Sequence, residues 1–201
     1  MLIKSCDRKI IEIILSTLVG VKTDLLHEIC KKDKRILISI DDDLGWLSKF
    51  TQKYLGDGYE LDNSGWHKFF FVPGKTAHNN DDPQRWIDFL DNFELLKIMD
   101  FDVAFIDQNP WLGRTETIKR LKHTSKYLII HDFNYYPMNN IFGKVIRLAI
   151  NGDPGVFDLS DTFKYYRVYF PNTTWPYLYG PGTLVTSETE PNFPDVDFNN
   201  Y

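Results

Sequence analysis

Short apolar runs that each end in acid constrain this chain more than any other feature. Arg35 to Ile40 (Arg-Ile-Leu-Ile-Ser-Ile) meets Asp41-Asp42-Asp43, Val103 to Ile106 meets Asp107, and Tyr127 to His131 meets Asp132. Runs this brief and this apolar predict strands buried on both faces. Segments with helical spacing alternate with them, at Thr23 to Lys31, Leu44 to Leu55, Gln84 to Met99 and Thr115 to His123. That βαβα order predicts an α/β fold, a doubly wound, mostly parallel Rossmann-like sheet. In such a sheet ligands bind outside the carboxyl ends of the strands. Asp107 and Asp132 are therefore placed for chemistry, although either one alone also suits a turn or a helix cap.

The remaining elements follow from texture. Ile10 to Leu15 is a β-branched run that predicts a first strand, and Trp66 to Val72 predicts another around Phe69-Phe70-Phe71. Pro73 to Pro83 is a polar loop rich in breakers. Beyond Asp132 the chain turns aromatic, with a helix-like piece near Ile141 to Ile150. The runs Thr162 to Phe170 and Leu184 to Ser187 then supply antiparallel C-terminal strands, joined tightly through Gly180-Pro181-Gly182. Residues 1–187 are expected to form one domain, and 188–201 an acidic tail with Pro191 and Pro194.

Composition excludes several classes. With 201 residues, 43% hydrophobic and 15% aromatic, the chain is long enough for one sizeable core. A net charge of −5 gives no global basic field, so nucleic acid is not an expected partner. Cys6 and Cys30 make neither a disulfide framework nor a CxxC metal pair, and both read as reduced thiols. Charges at Lys4, Asp7, Arg8 and Lys9, followed by an apolar run broken by Glu12, do not read as a secretory leader. No run approaches the roughly 18 apolar residues that span a bilayer. The expected setting is soluble and cytoplasmic, where the sequon at Asn172-Thr173-Thr174 is a plain turn.

Three motifs in order carry a family resemblance. Ser39-Ile40-Asp41-Asp42-Asp43-Leu44-Gly45-Trp46 follows a SIExDxxW pattern. Phe105-Ile106-Asp107-Gln108-Asn109-Pro110-Trp111-Leu112-Gly113-Arg114 and Leu128-Ile129-Ile130-His131-Asp132 follow FIDxxPxxxR and IVxHD patterns. Over roughly residues 10 to 187 the chain resembles the class I S-adenosylmethionine-dependent methyltransferases, near the metal-dependent sugar O-methyltransferases. The resemblance implies that Asp41 accepts hydrogen bonds from the cofactor ribose, and that Glu12 and Gly20 belong to the cofactor turn after the first strand. That turn departs from the family, which expects a Gly-rich EiGtGxGxST. Here only Gly20 remains, with Ile14 and Leu15 in place of small residues.

By the same resemblance Asp107 and Asp132 match divalent-metal ligands, with Mg²⁺ as the expected ion. His131 then serves as general base or third ligand, so that Asp107, His131 and Asp132 form the catalytic set. Gln108 stands where a histidine often follows the strand acid. Arg114 reads either as a substrate anchor or as a surface ion pair with Asp107 or Glu116. Trp111 and Tyr135, with Tyr136, Trp175 and Tyr177, either stack on substrate or seal the core. The function implied is O-methylation of a small hydroxylated molecule, a sugar or nucleotide-sugar being favoured. Two rivals stay open: a methyltransferase fold that has lost its cofactor and serves as a binding or scaffolding module, and a nucleotide-sugar enzyme of another class. A homo-oligomer is also left open.

Overall fold

The structure is a computed structural model that describes residues 9–14, 20–55, 65–75, 83–108, 111–131, 163–169 and 182–193. Its elements run β1 (Lys9–Ile14), α1 (Gly20–Asp33), β2 (Ile36–Asp41), α2 (Leu44–Leu55), β3 (His67–Phe71), α3 (Gln84–Asn92), α4 (Glu94–Ile98), β4 (Phe101–Asp107), α5 (Trp111–Leu121), β5 (Ser125–Ile130), β6 (Tyr165–Tyr169) and β7 (Thr183–Ser187). The strands form one seven-stranded sheet in the order β3-β2-β1-β4-β5-β7-β6. β1 to β5 pair in parallel, β7 runs antiparallel to β5, and β6 runs antiparallel to β7. This is the expected doubly wound, mostly parallel sheet with antiparallel C-terminal strands.

The winding creates a topological switch point. The chain steps outward from β1 to β2 to β3, then returns across the sheet to lay β4 on the other side of β1. Right-handed crossovers taken in opposite directions put helices on opposite faces. Accordingly Trp86 and Phe93 at α3, with Ile118 and Leu121 of α5, join Ile38, Ile40, Ala104, Ile106, Leu128 and Ile130 in the main core. On the other face Cys30 of α1 packs with Leu37, Val103 and Leu26 in a much smaller cluster. The reversal falls between β1 and β4, the place where a doubly wound sheet opens to ligands.

Local chemistry sets the element ends. Asp43 is the N-cap of α2: its carboxylate accepts the Trp46 N–H at 3.1 Å, and its carbonyl accepts the Leu47 N–H. A cap of this kind is worth about 1 kcal/mol. α1 closes with Lys34 in the left-handed region at φ 55°. There the Arg35 N–H reaches back to the Cys30 carbonyl and the Lys34 N–H to that of Lys31, the paired bonds of a Schellman end.

The single helix expected over Gln84 to Met99 is two. Phe93 leaves the helix with extended backbone, φ −82° and ψ 94°, and its ring packs on Phe70 and Phe89 at 4.6 and 5.2 Å. Burial of that ring outweighs the helical bonds it interrupts. The crossover helix after β4 also begins earlier than Thr115, at Trp111. Residues 132–162 and 170–181 lie outside the described residues, and with them the helix-like piece at Ile141 to Ile150, the Gly180-Pro181 turn, Tyr136, Trp175 and Tyr177. Glu188 to Phe193 of the expected tail are described, and Glu188 lies 3.8 Å from Lys122.

Candidate active site

Register brings the strand ends level. Ile13 pairs with both Ile40 and Ile106, Ile14 with Asp107, and Ile106 with Ile130. The His131 N–H donates to the Ile106 carbonyl at 3.0 Å, which extends the β5 pairing by one residue and stands His131 beside Asp107. Asp41, Ile14, Asp107 and His131 thus form one row along the carboxyl edge. Alternation places Asp41, Asp107 and His131 on the face that carries α1, because Ile40, Ile106 and Ile130 point into the main core on the other. Asp41 and Asp107 flank β1, two strand spacings or about 10 Å apart in backbone.

Asp41 is buried, and its Oδ1 accepts the Asp43 N–H at 2.7 Å in an Asx turn. Burial pushes its carboxyl up to about 8, a rise that the Asp43 hydrogen bond opposes and the neighbouring Asp42 and Asp43 charges reinforce. Its Oδ2 has no hydrogen bond among the described residues. A desolvated carboxyl with an open oxygen at a switch-point strand end fits a vicinal diol, which offers two donors.

On the other side of β1, Asp107 is buried between two cationic or potentially cationic groups. His131 Nδ1 lies 3.3 Å from Asp107 Oδ1, and Arg114 Nη2 lies 3.5 Å from the same oxygen. Arg114 also donates from Nε to the Gln108 carbonyl at 2.6 Å and from Nη1 to the His131 carbonyl at 2.5 Å. It is therefore a buried clamp across the ends of β4 and β5, paired with Asp107 as one of its two expected readings has it, but inside the fold rather than at the surface. Glu116, its alternative partner, binds Lys119 and Arg120 instead, which hold its carboxyl below the usual range.

Asp107 carries a guanidinium at contact distance, and among the described residues no three His, Cys, Asp or Glu side chains converge as a metal shell. A cation from the chain itself thus faces Asp107 where Mg²⁺ is expected, and Asp132, the second expected ligand, is not among the described residues. Tyr135 lies outside them too. Trp111 is the first residue of α5, Gly20 the first of α1, and Glu12 sits in β1 opposite Ser39 and Phe105.

Three features escaped the sequence reading. Asp42, expected only as part of an acidic turn, is fully buried and paired with both Lys75 at 2.9 Å and Arg85 of α3. Gln108 is enclosed against Trp86 and Gly113, where a Cβ on Gly113 would stand 3.1 Å from the Trp86 ring and 3.3 Å from the Gln108 amide. Ser39, His67 and His27 form a buried polar chain beneath α1. Only the Asp triplet carried a signal in sequence, since alternate residues at a strand end face opposite sides. A separate cleft of about 560 Å³ opens at the far edge of the sheet near Asp100, Ser125 and Glu188, away from the strand-end row.

Fold and site together define a doubly wound α/β protein with a row of polar side chains at the carboxyl edge of its topological switch point. No family model matches the chain and no curated protein matches it. Among solved structures it is similar to TrmN from Thermus thermophilus, with 10% identity and a TM-score of 0.45 over 90% of this chain. The chain spans 44% of that structure. It is also similar to the methyltransferase domain of bacterial CtHen1-CN, with 12% identity, a TM-score of 0.46 and 90% of each chain covered. A third is a SAM-dependent methyltransferase from Methanosarcina mazei, with 14% identity, a TM-score of 0.43, and 92% of this chain and 94% of that one covered. Among the described residues no helix is long and apolar enough to cross a membrane.

Proposed function

We propose that this chain transfers a methyl group from S-adenosylmethionine to a hydroxyl of a small molecule, a sugar or nucleotide-sugar being the favoured class. The observation that carries this reading is the level row Asp41, Ile14, Asp107 and His131 across the switch point. When bound, the cofactor supplies a methyl group activated by its sulfonium. Asp41 accepts the ribose hydroxyls, the role the family resemblance gives it. His131, with its side chain 22% exposed, takes the proton of the acceptor hydroxyl. Asp107, 3.3 Å from Nδ1, offers a negative charge to the imidazolium that forms, and Arg114 holds both strand ends so that the pair stays together. The sugar class rests on the family resemblance alone.

Calorimetry with S-adenosylhomocysteine tests the cofactor half. Binding that is lost in Asp41→Ala supports the reading, whereas no binding at millimolar ligand would leave the non-catalytic binding module in its place. For the acceptor half, His131→Ala should lower kcat roughly 10²- to 10⁴-fold, the usual worth of a general base. Activity should persist in excess chelator because a guanidinium faces Asp107. Strict dependence on Mg²⁺ would overturn that assignment.

A further inference from the structure

Beneath α1 lies a polar chain that the proposed reaction does not use. His27 Nδ1 of α1 lies 2.9 Å from His67 Nδ1 of β3, and His67 Nε2 lies 2.9 Å from Ser39 Oγ of β2. All three residues are buried. The His27 ring stacks on Tyr54 of α2 at 3.6 Å and leans on Trp66 at 4.7 Å, while His67 stacks on Phe69 at 4.0 Å. The Tyr54 hydroxyl donates to Asp24 of α1, which also pairs with Lys53.

A contact between two ring nitrogens needs one proton: one Nδ1–H donates and the other nitrogen accepts with its lone pair. When both rings are protonated the acceptor is gone, and two like charges face each other across the same gap in a dry site. The bond therefore exists only while at least one imidazole is neutral.

Among the described residues no α1 side chain belongs to the main core, and the helix meets Leu37 and Val103 through Cys30 and half-buried Leu26. Leu25 is 58% exposed and Ile29 38% exposed, so much of its apolar surface does not hold it to the sheet.

We propose that the His27–His67 pair is a pH-sensitive latch, closed when neutral, that holds α1 on the sheet and releases it in mild acid. Its surroundings bear on its charge. On α1, Asp24 and Glu28 favour the His27 cation and Lys31 opposes it; on α2, Lys53 opposes it. β2 presents Ser39 and β3 the Phe69 ring. Burial prevails, depressing His27 below its ordinary value and His67 to about 3, the latter also lowered by His27. Folded values below the unfolded ones mean that the latch is fully stabilising above about pH 6.5 and weakens as pH falls below it.

Backbone amide exchange on the full chain, paired with imidazole ¹⁵N spectra, tests this without reference to methyl transfer. Protection of α1 amides should drop about tenfold per pH unit for each proton taken up below pH 6.5, while β4 and β5 amides hold theirs. The His27 and His67 signals should stay neutral until that loss begins. In His27→Phe/His67→Phe the acid dependence of α1 protection should vanish; should that variant not fold, the wild-type coincidence decides alone. The latch is overturned if either ring protonates near pH 6.5 with α1 protection unchanged, if α1 and β4 lose protection together, or if the double variant keeps the acid dependence.

Discussion

Asp41 and Lys34 each hold a conformation or charge state that the isolated residue disfavours. The Asp41 carboxyl, raised by burial to about 8, holds a proton in the folded chain that the unfolded chain releases near 3.8. Its contribution is thus fully present below pH 3.8 and is lost as pH rises through 8, at no more than about 1.4 kcal/mol per pH unit. The histidine pair has the opposite sign, weakening toward acid. Asp41→Asn separates the two: chemical denaturation of that variant should show stability gained over wild type at pH 9 and a flatter profile between pH 5 and 8. An unchanged slope would refute the burial of this charge. Ionisation also suits the diol that Asp41 is proposed to hold, so affinity for S-adenosylhomocysteine should tighten from pH 6 to 8.5 in the wild type. Lys34 carries the other cost. A side chain at φ 55° is strained where glycine is not, so Lys34→Gly should raise the unfolding free energy by about 0.5–1 kcal/mol. A loss in urea denaturation would show that the lysine side chain outweighs its backbone.

Elements were legible where local chemistry decides them. Asp43 caps α2 through bonds to residues no more than four positions away, and the burial of β2 and β4 followed from runs that had to be buried on both faces. Elsewhere the deciding partner is remote in sequence. Neither glycine nor proline stands at Phe93, where α3 ends; the ring packs on Phe70 of β3, a partner far off in sequence, as well as on Phe89 of α3 itself. Gly113 precedes the helix expected from Thr115, yet it lies inside α5, where its lack of a side chain lets Trp86 and Gln108 approach. Arg114 looked exposed for the same reason: its acceptor on His131 is 17 residues away. The strand-end acids could be seen in the sequence, but not the clamp that keeps Asp107 beside His131.

The whole molecule depends on one reversal, where the chain leaves β3 and returns across the sheet to β4. That reversal creates the switch point, and Asp42 ties it. Its carboxylate, fully buried one residue past the end of β2, binds Lys75 in the segment leaving β3 and Arg85 on α3, the helix that carries the chain back. Surface ion pairs contribute little, but removing one partner from a buried pair leaves an uncompensated charge, at about 3–5 kcal/mol. Arg85 is buried as well, its side chain 7% accessible, and among the described residues its Nε and Nη1 have no hydrogen-bond partner. Asp42→Asn should therefore cost about 3–5 kcal/mol in denaturant unfolding, and Arg85→Met/Asp42→Leu, which removes both buried charges, should recover a large part of it. Lys75 is a third exposed and can turn to water. Because Asp41 adjoins the pair, the single variant should also weaken S-adenosylhomocysteine binding under conditions where it remains folded, and the double variant should recover stability more fully than binding. Equal loss in single and double variants would mean that Asp42 acts through the shape of the reversal rather than through its charge.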